Sequence, residues 1–269
     1  LVLAPLLQIW HQAMQESFMK YSRFVILLII SSVACQVMAT EIRVAVASNF
    51  LLPLQTIAKS YEQTSGDKII ISAGSTGKLY AQIINGAPFD IFLAANSSEP
   101  EKLEKEGVAV SGSRFTYARG RLVLWNPKGV NPQRTLQAVL QAADFNRLSL
   151  ANPVTAPYGA AAISVLQKFN LEQTLSGKLL RGENISQAYQ YVASGAADLG
   201  FIALSQIKTG NGEPPGAYWL VDESLHAPIV QQAVLIKSSA HPKQAQAFLN
   251  YLQGGQGKAM IEKFGYGLP

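Results

Sequence analysis

A single cysteine, Cys35, and three histidines are all the thiol and imidazole this 269-residue chain contains, and charged residues make up only 14% of it. One cysteine excludes an internal disulfide and any thiolate metal cluster. No Lys/Arg cluster with interleaved aromatics occurs, which speaks against a nucleic-acid surface. No apolar run reaches the about 20 residues that a membrane-spanning helix needs. There is no G-x-S-x-G elbow, no His/Asp/Glu pair at metal-ligand spacing in the turns discussed below, and no internal repeat.

What is present is ordinary globular material. With 48% hydrophobic residues and a net charge of +5, the chain is long enough for one large domain or two lobes of about 100 residues each. Its first forty residues stand apart. Lys20 and Arg23 precede an apolar run, Phe24 to Ala34, that ends near Val37, Met38 and Ala39. This pattern predicts a signal peptide cleaved before Thr40, export to the periplasm, Met19 as initiator and residues 1–18 as an upstream extension of the frame. The alternatives are a retained anchor, or a lipid on Cys35, for which Ser32 is a poor match. Cleavage would remove Cys35 and leave only His226 and His241.

From Glu41 onward strands and helices alternate. Ile42, Val44 and Val46 are spaced by two, whereas Leu54, Ile57, Ala58 and Tyr61 share one helical face. Strands are expected at 68–73 and 89–95, the second a near-continuous apolar run suited to a buried parallel sheet, with a helix at 78–84 between them. Asn85-Gly86 and Gly107 stop the intervening helices. The alternation resumes with strands at 122–125, 148–151 and 199–203 and helices at 159–169 and 186–193. A Gly/Pro-rich loop at 208–217, a strand at 229–236 and closing helices around 245–252 and 258–264 complete it. The expected organisation is α/β in two lobes: a leader over 1–39, a first lobe from 40–121 and 230–269, and a second lobe from 122–229.

Two such lobes place a ligand where strand ends meet helix N-termini, so the strand-to-helix turns carry the information. The first is Ala47-Ser48-Asn49-Phe50, whose Ser48 and Asn49 are good N-cap residues and could do no more than cap. The second is Gly74-Ser75-Thr76-Gly77, small enough for a ligand to approach backbone N–H groups. It is not a P-loop, which needs glycine at Ser72 and Ser or Thr at Leu79. In the second lobe, 152–159 and 182–185 lead into helices in the same way. Four turns could aim N–H groups, hydroxyls and an amide at one cleft and hold a dianion without Lys or Arg.

The runs AVASNF, SAGSTGKLYAQIINGAPFDIFLAA, GSRFTYARGRLVLW, ANPVTAPYGAAA and SGAADLGFIAL resemble, in order and spacing, the periplasmic molybdate-binding proteins of bacterial ABC importers, over essentially all of Glu41 to Pro269. The resemblance implies the type II periplasmic-binding fold, hinged by crossover strands near Gly120 to Leu122 and Pro228 to Gln232. It implies molybdate or tungstate as ligand, no cofactor, no catalytic residue, a monomer, and a permease and ATPase as partners. Carried over by motif, the donors are the hydroxyl and N–H groups of Ser48 and Thr76, with N–H groups from Asn49, Tyr158 and Ile185; Ser75 is an alternative to Thr76. Some members of the family use a tyrosine where this chain has Ala203, and Tyr158 marks the other subgroup.

Other readings remain open at this level. A serine-type hydrolase would need a base beside Ser48 or Ser75, and His226 and His241 lie far along the chain, near prolines, where surface roles are commoner. Sulfate or another tetrahedral oxyanion suits the same donors. A carboxylate solute is commonly met by an Arg fork, which these turns lack. Asp90 and Asp198 would repel a dianion and are expected to bond loops at strand ends, and Trp125 and Trp219 to pack as core.

Overall fold

The computed structural model describes residues 39–129, 134–208 and 215–269, together with Trp10, Met14 and Phe18. Most of the expected leader, including Met19, Phe24 to Ala34 and Cys35, lies outside the described residues, as does most of the expected 208–217 loop. Thr40–Pro269 forms one compact unit built on two five-stranded sheets. Among the described residues no helix is long and apolar enough to cross a membrane.

The chain begins with β1 (Glu41–Ala47), whose Val44 to Ala47 are buried without alternation, as in a strand covered on both faces. A single 3-10 turn, Ser48–Phe50, leads into α1 (Leu51–Ser65). Leu54, Ile57, Ala58 and Tyr61 form the buried stripe of α1, and the helix ends at Gly66, whose φ of 78° is the left-handed stop that glycine adopts without strain. Next come β2 (Lys68–Gly74), α2 (Thr76–Ile84), β3 (Ile91–Ala94), α3 (Ser98–Lys105) and β4 (Phe115–Gly120). β1 is flanked in parallel by β2 and β3.

After Gly120 the chain enters the second sheet through β5 (Leu122–Asn126), followed by α4 (Leu136–Ala142), β6 (Leu148–Ala151), α5 (Pro157–Lys168), α6 (Glu172–Leu175), β7 (Leu179–Gly182), α7 (Ile185–Ala193), β8 (Leu199–Ala203), α8 (Leu204–Ile207) and β9 (Ala217–Leu220). It returns to the first sheet as β10 (Ile229–Leu235), antiparallel to β3 and β4, and closes with α9 (Pro242–Gln253) and α10 (Gly255–Lys263). The sheet orders are β2-β1-β3-β10-β4 and β7-β6-β8-β5-β9. The molecule therefore has two α/β lobes joined by two strand crossings, with the C-terminal helices on the first lobe.

Each lobe has its own core. Ile42, Phe50 and Leu54 meet Phe248, Leu249 and Ile261 of the closing helices in the first. Leu122, Leu148, Val165 and Phe201 anchor the second, which Ala47 and Ala95 join from across the interface. Burying one such Leu or Phe side chain stabilises the fold by about 1.5–3 kcal/mol.

Three differences from the sequence-based expectations are informative. α5 starts at Pro157, two residues before the expected 159, because proline suits a first helical position whose N–H would be unbonded anyway. The strands β4, β7 and β9 were not anticipated, and β9 is a half-exposed edge within what reads as loop. Ser48 and Asn49 do not cap α1: its N-cap position is Phe50, and no side chain bonds its free N–H groups.

Candidate functional site

The turns that follow β1, β2, β6 and β7 converge between the lobes, and Ser48, Asn49, Ser75, Thr76, Tyr158 and Ile185 all line one small cavity. All six are buried, none more than 6% exposed. Ala47, Gly74, Ala95, Ala156 and Pro157 complete the lining. No Lys, Arg, His, Asp or Glu is among these residues.

Local structure explains the donors. Ser48 and Asn49 open the 3-10 turn, Thr76 opens α2, Tyr158 is the second residue of α5, and Ile185 is the first residue of α7. A residue so early in a helix has no intrahelical carbonyl to donate to. None of these N–H groups donates to another described group. They are therefore free to donate to a ligand in the cavity that their residues line, with the partial positive charge of helix starts behind them.

The hydroxyls divide differently from the expectation. Thr76 Oγ1 accepts the Ala95 N–H at 3.1 Å and so helps to build the wall. Ser75 Oγ is buried with no partner among the described residues, which makes it the wholly unengaged hydroxyl at the site, whereas Thr76 Oγ1 already holds the wall and has only its proton left to offer. Ser48 Oγ accepts a long 3.4 Å bond from the Ser186 N–H across the cleft, leaving its proton available.

Several contacts hold the lobes together around the cavity. Gly77 N–H donates to the Thr155 carbonyl at 2.9 Å, Ser186 Oγ to the Ser48 carbonyl at 3.2 Å and Ser205 Oγ to the Asn49 carbonyl at 2.9 Å. Lys78 and Glu183 form an ion pair at the rim, both about half exposed. A side chain at Gly77 would touch the Thr155 backbone at 3.3 Å, so glycine permits this close approach.

Behind the first-lobe donors lies a buried polar network. Asn49 Nδ2 donates to Gln231 Oε1 at 2.8 Å and to the Tyr266 hydroxyl at 2.9 Å. Tyr117, Tyr158 and Tyr266 are all buried, and loss of solvation pushes each phenol well above its ordinary pKa, so all three stay protonated and neutral.

The remaining candidates fall elsewhere. Asp90 accepts from the Arg43 N–H at 2.7 Å and the Ser239 hydroxyl at 2.6 Å, tying loops as expected. Asp198 accepts from the N–H groups of Arg147 and Asn146, the first of which does most to lower its pKa. Trp125 packs in the core, stacked on Tyr189 at 5.3 Å, and Trp219 donates to the Arg134 carbonyl. His241 is exposed ahead of α9, whereas His226 is buried, against the surface role expected of it, with Nδ1 2.8 Å from its neighbour's carbonyl and Nε2 unpartnered. Neither histidine lines the cavity, and neither is a partner of Ser48 or Ser75. Among the described residues no group of His, Cys, Asp and Glu could hold a metal ion. Ala95 was missed in the sequence, although it begins a further turn after an apolar strand and the same reasoning would have found it.

A profile of bacterial extracellular solute-binding proteins matches residues 42–267, and the chain belongs to that family. Two lobes, strand crossings and a buried inter-lobe cavity define the periplasmic-binding-protein fold it adopts. Within the family it is 48% identical over 249 residues to molybdate-binding protein ModA of Azotobacter vinelandii, a match covering 92% of this chain and 98% of that protein. It is 41% identical over 242 residues to molybdate-binding protein ModA of Rhodobacter capsulatus, covering 89% and 93%. The solved periplasmic molybdate-binding protein of Azotobacter vinelandii aligns with a TM-score of 0.82 at 40% identity, over 85% of this chain and 99% of that one.

Proposed function

We propose that the protein captures molybdate, or tungstate, in the inter-lobe cavity outside the cytoplasmic membrane and delivers it, as a monomer, to the permease and ATPase of an ABC importer. The observation that carries this reading is a buried cavity lined by N–H and O–H donors with no charged side chain. Molybdate is fully ionised near neutral pH and needs donors only. Ser48, Asn49 and Ser75 supply first-lobe donors, and the N–H groups of Thr76, Tyr158 and Ile185 complete the set. The two lobes together surround a tetrahedral dianion only when closed, so binding favours the closed form that a permease would recognise.

No catalytic role is assigned. Among the described residues Ser48 and Ser75 have no base within hydrogen-bonding reach, and nucleophilic catalysis needs one. Export rests on the basic start and short apolar run that end at Ala39. Intact-mass analysis of the periplasmic protein is expected to give a chain starting at Thr40; a lipid on Cys35 or an uncleaved leader contradicts this.

Thermal denaturation with added molybdate tests the reading. At a hundredfold excess over Kd, one bound ion adds about 2.7 kcal/mol. For a chain of this size that raises Tm by roughly 5–10 °C. An unchanged Tm with both molybdate and tungstate overturns it.

A further inference from the structure

Gln231 and Gly120 do not line the cavity, yet the two halves of the donor set meet at them. We infer that both are positioning residues for the oxyanion site, acting through Tyr158 and Asn49, so that donor geometry is coupled to the two strand crossings. The inference rests on the proposed function and deepens it.

Tyr158 has two ends with different surroundings. Its N–H, at the start of α5, donates to no described group, while its ring is almost fully buried, with its hydroxyl accepting a 3.4 Å bond from Gln231 Nε2, which does not line the cavity. Gln231 stands on β10 with no exposed surface. Its Oε1 accepts from Asn49 Nδ2 at 2.8 Å and from the Tyr117 hydroxyl at 3.0 Å. Those two donors fix the orientation of the amide and turn Nε2 toward Tyr158. One side chain thereby touches a first-lobe donor residue, Asn49, and a second-lobe donor residue, Tyr158.

Gly120 closes the arrangement. It is the last residue of β4 before the chain crosses to β5, and it pairs with Ile229 on the returning strand. A Cβ built on Gly120 would lie 2.2 Å from the Tyr158 hydroxyl oxygen, 2.9 Å from Tyr158 Cζ and 2.8 Å from Gln231 Nε2. Gly120 is not in the left-handed region, so the backbone does not demand glycine there; the space does. The Tyr158 hydroxyl is thus lodged between the outgoing and the returning crossing. Movement of the second lobe about those crossings displaces the ring, and the ring shares a backbone with the Tyr158 N–H that faces the ligand. A chain of packed, hydrogen-bonded groups with two arrangements, open and closed, is the physical form such coupling takes.

The test is a double-mutant cycle read by molybdate calorimetry, with apo thermal denaturation alongside. Gly120→Ala adds one methyl group outside the cavity and is expected to weaken molybdate binding about tenfold. Tyr158→Phe keeps the N–H and the ring but removes the hydroxyl, and is expected to weaken binding about threefold. In Gly120→Ala/Tyr158→Phe the 2.2 Å contact with the hydroxyl is gone while those with Cζ and Gln231 Nε2 remain, so affinity is expected to recover part of the way toward that of Tyr158→Phe alone. A purely structural role for Gly120 would lower apo Tm and leave affinity unchanged. Affinity of Gly120→Ala within about twofold of wild type, or a double variant no tighter than Gly120→Ala, overturns the inference. Should Gly120→Ala not fold, Tyr158→Phe decides alone, and wild-type affinity in it overturns the inference. A wild-type protein that itself ignores molybdate removes the proposed function instead, which keeps the two failures distinct.

Discussion

The two walls of the cavity are built from different parts of the chain. On the first-lobe side, Ser48, Ser75 and Thr76 bring hydroxyls as well as main-chain N–H groups, and Asn49 its main-chain N–H, its side-chain amide being spent on Gln231 and Tyr266. On the second-lobe side, Tyr158 and Ile185 bring main-chain N–H groups only, and both side chains are packed into the second core. A donor on the first wall can be deleted by trimming a side chain. A donor on the second wall is lost only if the backbone moves or the nitrogen loses its hydrogen.

The largest expected effect is on the first wall. Ser48→Asp places a carboxylate beside the bound dianion in a buried site, and binding measured by calorimetry is expected to fall at least about a hundredfold. Wild-type affinity in this variant would mean that Ser48 does not face the ligand.

The second wall separates side chain from backbone at one position. Ile185 is the first residue of α7, where proline is tolerated, and Asn184 before it is extended, as a residue preceding proline should be. Ile185→Pro is expected to cost about tenfold in affinity by removing the N–H. Ile185→Val keeps the N–H and is expected to bind within about twofold of wild type. Equal affinities for the two variants would refute the backbone assignment.

Ser75 and Thr76 sharpen the first wall further. Ser75→Ala removes the free hydroxyl and is expected to weaken binding about tenfold by calorimetry. Thr76→Ser keeps the oxygen that accepts the Ala95 N–H and is expected to change affinity by no more than about twofold. The reverse ranking would return the donor role to Thr76.

The smallest effect expected is that of pH. No titratable group of ordinary pKa lines the cavity, and burial pushes the phenols of Tyr117, Tyr158 and Tyr266 upward, so affinity is expected to be flat from about pH 6 to 9. In the unfolded chain those phenols ionise near their ordinary pKa of about 10, while the folded protein holds its protons. Stability is therefore expected to fall as pH rises above about 10, which denaturation at a series of alkaline pH values would follow.

This contrast also governs how much could be read from the sequence. β1 and α1 were legible because Ile42, Val44 and Val46 keep a period of two and Leu54, Ile57, Ala58 and Tyr61 a helical period. The edge strand β9 was not, since Tyr218 and Leu220 point outward and nothing in Ala217–Leu220 distinguishes a half-exposed edge from a loop. At the site, the turns themselves were visible as Ser/Thr/Gly stretches between strand and helix. The division of labour between Ser75 and Thr76 was not, because it depends on the Ala95 N–H arriving from another strand. Gln231 was invisible as well: it lies 182 residues from Asn49 in the chain, and only the return of β10 to the first sheet brings them together.

Competition calorimetry of the wild-type protein against molybdate, sulfate and phosphate tests the donor-only cavity most directly. Phosphate near neutral pH usually keeps a proton, and a buried P–O–H with no carboxylate to accept it loses its bond to water, costing about 1–3 kcal/mol, or roughly tenfold to a hundredfold in affinity. The expected result is one molybdate per chain, with phosphate failing to compete. Phosphate displacing molybdate at equal concentration would show that the cavity contains an acceptor, and a site built from donors alone would be ruled out.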